Sequence, residues 1–223
     1  MIPKILHFIW VGDESIRPDN CIQTWIDHHP DWEIRVWGNA TLREREWDNG
    51  AHMQKMAHRE LNGVADMMRW EILYTEGGIV IDADSICVQP LDEALLRHNA
   101  FACWESEMAR PGLIAAGYVG SVPENPFIGQ IVLDILAEPT VVDRPAWETV
   151  GPLRLTEAYR RYRYHALHIL PSHYFIPEHF TGLVYDGPGP VYARQFWGST
   201  TKSYGELHQK NFSAAAQAES VPA

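Results

Sequence analysis

The pattern of apolar and polar positions in the first part of the chain predicts strands that alternate with helices. Apolar or alternating runs of strand length occupy 5–10, 32–37 and 79–84. The segments 18–30 and 62–78 lie between these runs and carry apolar residues at helical spacing. This order is typical of an α/β fold with a mainly parallel central sheet flanked by helices. Ligands of such sheets bind beyond the carboxyl ends of the strands.

Residues that commonly begin or end helices mark the limits of the second predicted helix. Asn62 is predicted to cap its beginning, and the pair Gly77-Gly78 is predicted to end it. The charged stretch 41–61 is also predicted to be helical. The second half is predicted to contain a strand at 100–104, a helix at 125–139, a basic helix at 156–168 and an edge strand or loop at 169–177.

Length and charge limit the possible functions. The chain has 223 residues and an apolar fraction of 46%, which suits one folded domain, placed here at 1–210. The small polar residues of 211–223 predict a disordered tail. A net charge of −11 argues against nucleic acid as a partner. An anionic substrate would therefore need local positive charge, from a metal ion or from arginines.

Cysteine usage and the N-terminus bear on the compartment. The widely spaced Cys21, Cys87 and Cys103 form neither a disulfide framework nor a zinc-ligand pattern, so we expect buried, reduced thiols. The first apolar run is too short to span a membrane, and no signal-peptide cleavage pattern comes after it. We therefore expect a cytoplasmic chain without a transmembrane segment; peripheral association with the inner face of a membrane stays open.

Two acids stand at the end of the third predicted strand. Asp82 and Asp84 alternate with Ala83, so both carboxylates are expected on the same side of the strand. Together they could bind one hard divalent cation, because oxygen ligands favour Mg²⁺ or Mn²⁺. The alternative is a solvated turn in which Asp84 caps the next element of the chain.

A charged pair precedes these acids on the second helix. Asp66 and Arg69 share one helical face with apolar residues, which suggests a polar pair directed towards the sheet. The alternative is an ordinary surface salt bridge.

The stretch "ADMMRWEILYTEGGIVIDAD" (65–84) resembles the signature of glycosyltransferase family 32, A-D-x-x-R-[YW]-x-x-L-x-x-x-G-G-x-x-x-D-x-D. The likeness extends over "IPKILHFIWVG" (2–12) and "CIQTWIDHHPDWEIRVW" (21–37), so it covers about residues 2–93. Members include initiating mannosyltransferases and enzymes of bacterial polysaccharide biosynthesis.

The resemblance implies a GT-A fold and a metal-dependent hexosyltransferase. The enzyme would move a sugar from a UDP- or GDP-sugar to a glycan or lipid-linked hydroxyl acceptor, retaining the anomeric configuration. Asp66, Arg69 and Asp82 would be the catalytic residues, and Asp84 with Asp82 would bind Mn²⁺ or Mg²⁺. The implied nucleotide-sugar-binding residues are Trp10, Val11, Gly12, Asp66, Arg69, Asp82, Ala83 and Asp84.

The C-terminal part departs from the family pattern. Gln195 aligns with the usual His, and Ser199-Thr200 aligns with the usual Ser-Trp. Gln195 could bind the metal through its amide oxygen and Ser199 through its hydroxyl, but both are weaker ligands than imidazole.

Other interpretations remain open at this point. The acids also resemble the nucleophile strand of haloacid-dehalogenase-like phosphatases, with Asp82 as nucleophile. A nucleotide-sugar-binding protein that has lost turnover is a further alternative. Trp104 and Glu105 are candidates for contact with the acceptor. The cluster Arg160, Arg161 and Arg163 is interpreted as a solvated helix face in preference to an acceptor phosphate site.

Overall fold

The computed structural model describes residues 1–212. Its strands are β1 (Ile5–Ile9), β2 (Glu33–Trp37), β3 (Gly78–Ile81), β4 (Ser85–Cys87), β5 (Ala100–Ser106), β6 (Arg110–Ile114), β7 (Tyr118–Ser121), β8 (Leu167–Leu170) and β9 (Ala193–Gln195). Its helices are α1 (Asp19–His28), α2 (Asn39–Glu44), α3 (Gly50–Ala57), α4 (Leu61–Glu76), α5 (Pro126–Leu136), α6 (Ala146–Thr149), α7 (Pro152–Tyr162), α8 (Gly198–Thr201) and α9 (Tyr204–Leu207).

The central sheet has the strand order β2-β1-β3-β7-β5-β6, and β8 also pairs with β5. The pairs β1–β2, β1–β3 and β5–β8 are parallel, whereas β7 is antiparallel to both of its neighbours and β6 is antiparallel to β5. Consequently β1, β2, β3, β5 and β8 run in one direction, and β6 and β7 run in the other. The predicted α/β class with a mainly parallel sheet is confirmed, but the two reversed strands, β6 and β7, were not predicted from the sequence.

Strand β3 is apolar throughout because both faces of the sheet are covered. Val80 packs into a core layer formed with α4, α5 and α7, whereas Ile79 and Ile81 pack on the opposite face, where α1 contributes Trp25. Successive side chains of a strand point to opposite faces, so a strand buried on both sides reads as a continuous apolar run. This burial fixes the end of β3 at the centre of the fold.

The turn between α4 and β3 requires glycine. Gly77 has a φ of +66°, and a Cβ atom there would lie 2.7 Å from the ring of Pro123. Gly77 and Gly78 therefore end the helix as predicted and send the chain directly into the sheet.

Several local predictions need correction. The stretch 41–61 contains two short helices, α2 and α3, joined by a turn. Helix α4 begins at Leu61 after Glu60, so Asn62 lies inside its first turn and does not cap it. The basic helix ends at Tyr162 and is followed by strand β8.

The two acids do not lie on a strand. Strand β3 ends at Ile81, and Asp82, Ala83 and Asp84 form the turn into β4. Alternation along a strand therefore cannot explain why both carboxylates share a site; the turn brings them there.

Other predictions concern the thiols, the helix lengths and the tail. Cys21, Cys87 and Cys103 are buried and free, as expected. Within the described residues, each helix is too short or too polar to cross a bilayer. The predicted tail, 211–223, lies outside the described residues from position 213 onward, so the domain limits stay a prediction.

Candidate functional site

A cavity of about 680 Å³ opens at the carboxyl ends of β1 and β3. This is where an α/β sheet is expected to bind its ligands. The cavity brings together nearly all of the site residues predicted from the sequence. Those that line it are Trp10, Val11, Asp66, Arg69, Asp82, Ala83, Asp84, Gln195 and Ser199.

Gly12 is the predicted site residue that does not line the cavity. Its backbone N–H donates to Asn39 Oδ1 at 2.9 Å, and its carbonyl accepts from Asn39 Nδ2 at 2.7 Å. Gly12 therefore shapes the loop after β1, while Trp10 and Val11 face the cavity.

One wall of the cavity is charged, and Arg69 connects its members. From α4, Arg69 Nη2 donates to Asp82 Oδ1 at 2.7 Å, and Nη1 lies 3.5 Å from Asp66 Oδ1. Nη1 also donates to the carbonyl of Ala116. We call Asp66, Arg69 and Asp82 the charged wall. The Arg69 side chain at its centre is only 7% exposed, which contradicts the alternative of a surface salt bridge.

Asp66 is the most enclosed acid of the charged wall. Burial raises its pKa to about 6; Arg69 opposes this rise, and the negative charge of Asp82 adds to it. The residue opposite it is Gly151, where a Cβ atom would lie 2.6 Å from Asp66 Oδ2. Asp82 differs because 32% of its side chain is exposed. Asp82 is therefore the acid of this wall most available to a ligand.

Asp84 lies on the other side of the DXD turn, against the C-terminal part of the chain. Its Oδ1 accepts from Gln195 Nε2 at 2.9 Å, and its Oδ2 accepts from the backbone N–H of Gly198 at 2.6 Å. Burial raises its pKa to about 6, with the charge of Asp82 as the second cause. We call residues 193–207, which hold Asp84, the C-terminal cover.

Gln195, predicted as a weak metal ligand, makes a hydrogen bond with each end of its side-chain amide. Its amide nitrogen faces Asp84, and its Oε1 accepts a hydrogen bond from the hydroxyl of Tyr118. In this arrangement Gln195 supports Asp84 through its amide nitrogen, and its role as a metal ligand stays a prediction. Ser199 lines the cavity, and its predicted part in metal binding stays a prediction.

Sequence reasoning missed Tyr204, which belongs to the C-terminal cover. The Tyr204 ring meets the Trp10 ring edge-on at 4.8 Å, and Trp10 Nε1 donates to the carbonyl of Asp13. Trp10 is thereby held in place, with one side closed by Tyr204. No spacing signal links these residues, because 194 positions separate them along the chain.

Another group that the sequence did not single out lies at the far side of the cavity. The Arg110 guanidinium lies 4.7 Å from the centre of the Trp147 ring and 3.3 Å from a carboxylate oxygen of Glu105. Glu105 lines the cavity, as expected of a residue that contacts the acceptor, whereas Trp104 packs against the core. Glu105 also lies 3.3 Å from His179 Nε2.

The carboxylates fit a divalent cation. Asp84 is buried next to a second carboxylate, and like charges in such a place are costly unless a cation balances them. Each carboxylate oxygen can accept more than one bond, so the hydrogen bonds to Asp84 leave lone pairs free. Within residues 1–212, no cluster of three or more His, Cys, Asp or Glu side chains surrounds a metal position. The site therefore suits an ion such as Mg²⁺ or Mn²⁺ that takes its remaining ligands from water and substrate phosphates.

Comparison with known proteins agrees with this geometry. The family described as "Glycosyltransferase sugar-binding region containing DXD motif" matches residues 16–102, a stretch that contains Asp66, Arg69, Asp82 and Asp84. A similar curated protein is inositol phosphoceramide mannosyltransferase 2 of Schizosaccharomyces pombe, with 30% identity over 138 residues. The match covers 60% of this chain and 39% of that relative, so the chain spans well under half the length of the relative.

Solved structures show the same fold. The PaToxG glycosyltransferase superposes with a TM-score of 0.58 and 16% identity, covering 72% of this chain and 70% of that one. The UDP-bound glycosyltransferase domain of the YGT toxin gives a TM-score of 0.53 and 9% identity, covering 76% and 79%. The predicted GT-A fold is confirmed, and the phosphatase alternative is wrong. Over residues 16–102 the chain is similar to glycosyltransferases with a DXD-containing sugar-binding region.

Proposed function

We propose that this chain transfers a sugar from a nucleoside-diphosphate sugar to a hydroxyl acceptor, and that it uses a divalent cation and retains the anomeric configuration. The observation that carries the proposal is the charged wall beside Asp84. Two acids joined by a buried arginine form one side of the cavity and provide a preorganised set of charges. Such charges are usually the largest contribution to catalysis.

The charged wall would bind the sugar part of the donor. Arg69 holds one oxygen of Asp82, which leaves the other oxygen to accept hydrogen bonds from sugar hydroxyls. Asp66 would orient the same sugar from the α4 side, and its pairing with Arg69 keeps its position fixed. Trp10, held by Tyr204 and by the carbonyl of Asp13, would contact the nucleotide base.

Asp84 and Asp82 would hold the cation, and Ser199 lines the same cavity and could contribute its hydroxyl. A bound Mn²⁺ or Mg²⁺ neutralises charge that develops on the departing diphosphate. The bond between the anomeric carbon and the diphosphate oxygen breaks, and the acceptor oxygen bonds to that carbon from the same face. The acceptor proton passes to the departing diphosphate. This route retains configuration and needs no nucleophile from the protein.

The relatives suggest a class of acceptor. The name of the fission-yeast relative says that it mannosylates inositol phosphoceramide, a lipid. A lipid-linked or glycan acceptor for this chain is part of the present proposal. The buried free thiols are what a reducing compartment would allow, which supports action on the cytoplasmic side.

Donor hydrolysis tests the proposed activity without knowledge of the acceptor. Wild-type protein and Asp82→Asn would be incubated with UDP- and GDP-sugars and Mn²⁺, and release of the nucleoside diphosphate would be measured. We expect slow release with one donor, reduced at least 100-fold in Asp82→Asn because the loss of a transition-state contact to a charged group costs about 2.7 kcal/mol or more. Release by neither protein from any donor would contradict the proposal.

A second function has one observation in its favour. Both oxygens of Asp84 already accept hydrogen bonds from the C-terminal cover, and Gln195 stands where the family has a stronger ligand. A protein with this arrangement could bind a nucleotide sugar and turn it over poorly. Tight nucleotide binding without measurable release in the same assay would favour this second function.

A further inference from the structure

A second, shallower groove continues from the cavity on the side away from Trp10. It has a volume of about 320 Å³ and shares Arg110 and Trp147 with the main cavity. Its other lining residues include Gly112, Thr156 and Arg160. We call it the arginine groove. Strand order explains its position, because β1, which carries Trp10 at its end, and β6, which begins at Arg110, lie on opposite sides of β3 in the sheet.

The charge of the arginine groove is opposite to that of the whole protein. The chain carries 29 acidic and 18 basic side chains, yet none of the groove-lining residues within the described chain is acidic. Arg160 donates to the carbonyl of Gly112 at 2.9 Å and makes no ion pair with any residue of 1–212. Arg110 is partly balanced by Glu105, at 3.3 Å. The groove therefore keeps positive charge next to the site of transfer.

Arg160 and Arg161, two members of the predicted basic cluster, lie on different sides of α7. Arg160 lines the groove, whereas Arg161 lies 3.7 Å from Asp134 on the exposed side of the helix. Both arginines are exposed, as expected of a solvated helix face, but only Arg160 lines the groove. These two neighbours have the same side chain, so only their positions on the helix surface separate them.

We propose that the arginine groove binds a phosphoryl group carried by the acceptor, with Arg160 and Arg110 as its ligands and Trp147 as part of its lining. This rests on the proposed function, because the groove matters as an acceptor site only if the adjoining cavity binds the donor. The geometry fits: an acceptor whose anionic group lies in the groove extends past Trp147 and Glu105 towards the charged wall. Guanidinium groups suit phosphate because they donate several charge-assisted hydrogen bonds in one plane.

The test measures phosphate binding with the donor cavity filled. Inorganic phosphate would be titrated into the protein saturated with the nucleoside diphosphate that binds best, and chemical shifts would be measured by NMR. We expect saturable binding that weakens about tenfold in Arg160→Gln, the usual effect of losing a charge-assisted hydrogen bond. Arg161→Gln is the matched control, since it removes the same charge one residue away, and its binding should stay within about twofold of wild type.

Vesicles identify the source of the phosphoryl group. Phosphatidylcholine vesicles with and without phosphatidylinositol would be sedimented with each protein. Binding that needs phosphatidylinositol and is lost in Arg160→Gln supports the proposal with a lipid headgroup as the source. Phosphate binding without vesicle binding supports it with a soluble phosphate-bearing acceptor.

The outcomes that overturn the proposal differ from those that overturn the proposed function. If nucleotide binds but phosphate does not, or if Arg160→Gln and Arg161→Gln weaken phosphate equally, the groove is not a specific site. If no nucleotide binds, the proposed function fails, and the phosphate titration without nucleotide still reports on the groove. Exposed Arg160 has little part in the core, so both variants should fold; their unfolding midpoints check this.

Discussion

The two sides of the main cavity are built differently. The charged wall comes from α4 and the end of β3, which adjoin in the chain, and its two acids are joined by ion pairs to a buried arginine. The C-terminal cover reaches Asp84 from more than 100 residues away, through hydrogen bonds from an amide side chain and a backbone N–H. The wall is therefore preassembled by the central fold, whereas the cover depends on the docking of short elements. This difference suggests that the wall carries the chemistry and that the cover adjusts it.

The largest effect is expected at Arg69. Arg69→Met should lower the free energy of unfolding by about 3–5 kcal/mol, because it leaves the buried Asp66 and the partly buried Asp82 without their counter-charge. Denaturant unfolding measures this. Arg161→Met, which breaks only an exposed pair, should change the value by less than about 1 kcal/mol. Equal losses in the two variants would mean that the ion pairs of the charged wall contribute no more to the free energy of unfolding than a pair at the surface.

A buried histidine of β1 should make stability depend on pH. His7 Nε2 donates to the carbonyl of Gly77, and its Nδ1 accepts from Trp37 Nε1, so the ring must stay neutral. Burial lowers the His7 pKa to about 4 from its ordinary value of 6.5. As the pH falls, His7 is therefore protonated in the unfolded chain before it is protonated in the folded protein. The free energy of unfolding accordingly falls as the pH drops from 6.5 to about 4.

His7→Gln isolates this effect. The difference in unfolding free energy between wild type and variant should shrink by about 1.4 kcal/mol for each pH unit below 6.5. The acids of the cavity titrate in both proteins, so their contributions cancel in the difference between the two unfolding free energies. A difference that stays constant between pH 7.5 and 4.5 would show that His7 does not titrate in this way.

Asp84 should also make stability depend on pH, but in the opposite sense. Its raised pKa means that the charged form is disfavoured in the fold, so stability falls as the pH rises from 3.8 to about 6 and stays at the lower level above that. In metal-free buffer at pH 7, Asp84→Asn should therefore unfold at an equal or higher midpoint, with a gain of up to about 2 kcal/mol. A clear loss of stability would indicate that the hydrogen bonds of the cover outweigh the repulsion from Asp82.

The smallest effect is expected for a substitution in the C-terminal cover, measured as a change in cation affinity. Gln195→Leu removes the donor to Asp84 and leaves the Tyr118 hydroxyl without its acceptor. Since Gln195 acts through Asp84, cation affinity should fall about tenfold, as for other residues that orient a ligand. Isothermal titration with Mn²⁺ in the presence of nucleotide measures this. Complete loss of cation binding would instead make Gln195 a direct ligand.

The sequence predicted the charged wall side of the cavity better than it predicted the C-terminal cover. The three strands that frame the site, the helix α4 and its glycine end, and the DXD position were all predicted, because local spacing and one contiguous motif carry that signal. The hydrogen bonds of Gln195 were not predicted, because its amide is oriented by Tyr118, 77 positions away. Arg110 begins the reversed strand β6 and Trp147 lies on α6, 37 positions further along the chain, so no local pattern marks their contact.

Nucleotide titration tests most directly whether the cavity binds a nucleoside diphosphate through a cation at Asp84. UDP and GDP would each be titrated by calorimetry into wild type and Asp84→Asn, with and without Mn²⁺. We predict that one nucleotide binds wild type at least tenfold more tightly with Mn²⁺, and that Asp84→Asn loses this gain while remaining folded. Nucleotide binding that is equal with and without Mn²⁺, or unchanged in Asp84→Asn, would contradict a cation site at this carboxylate.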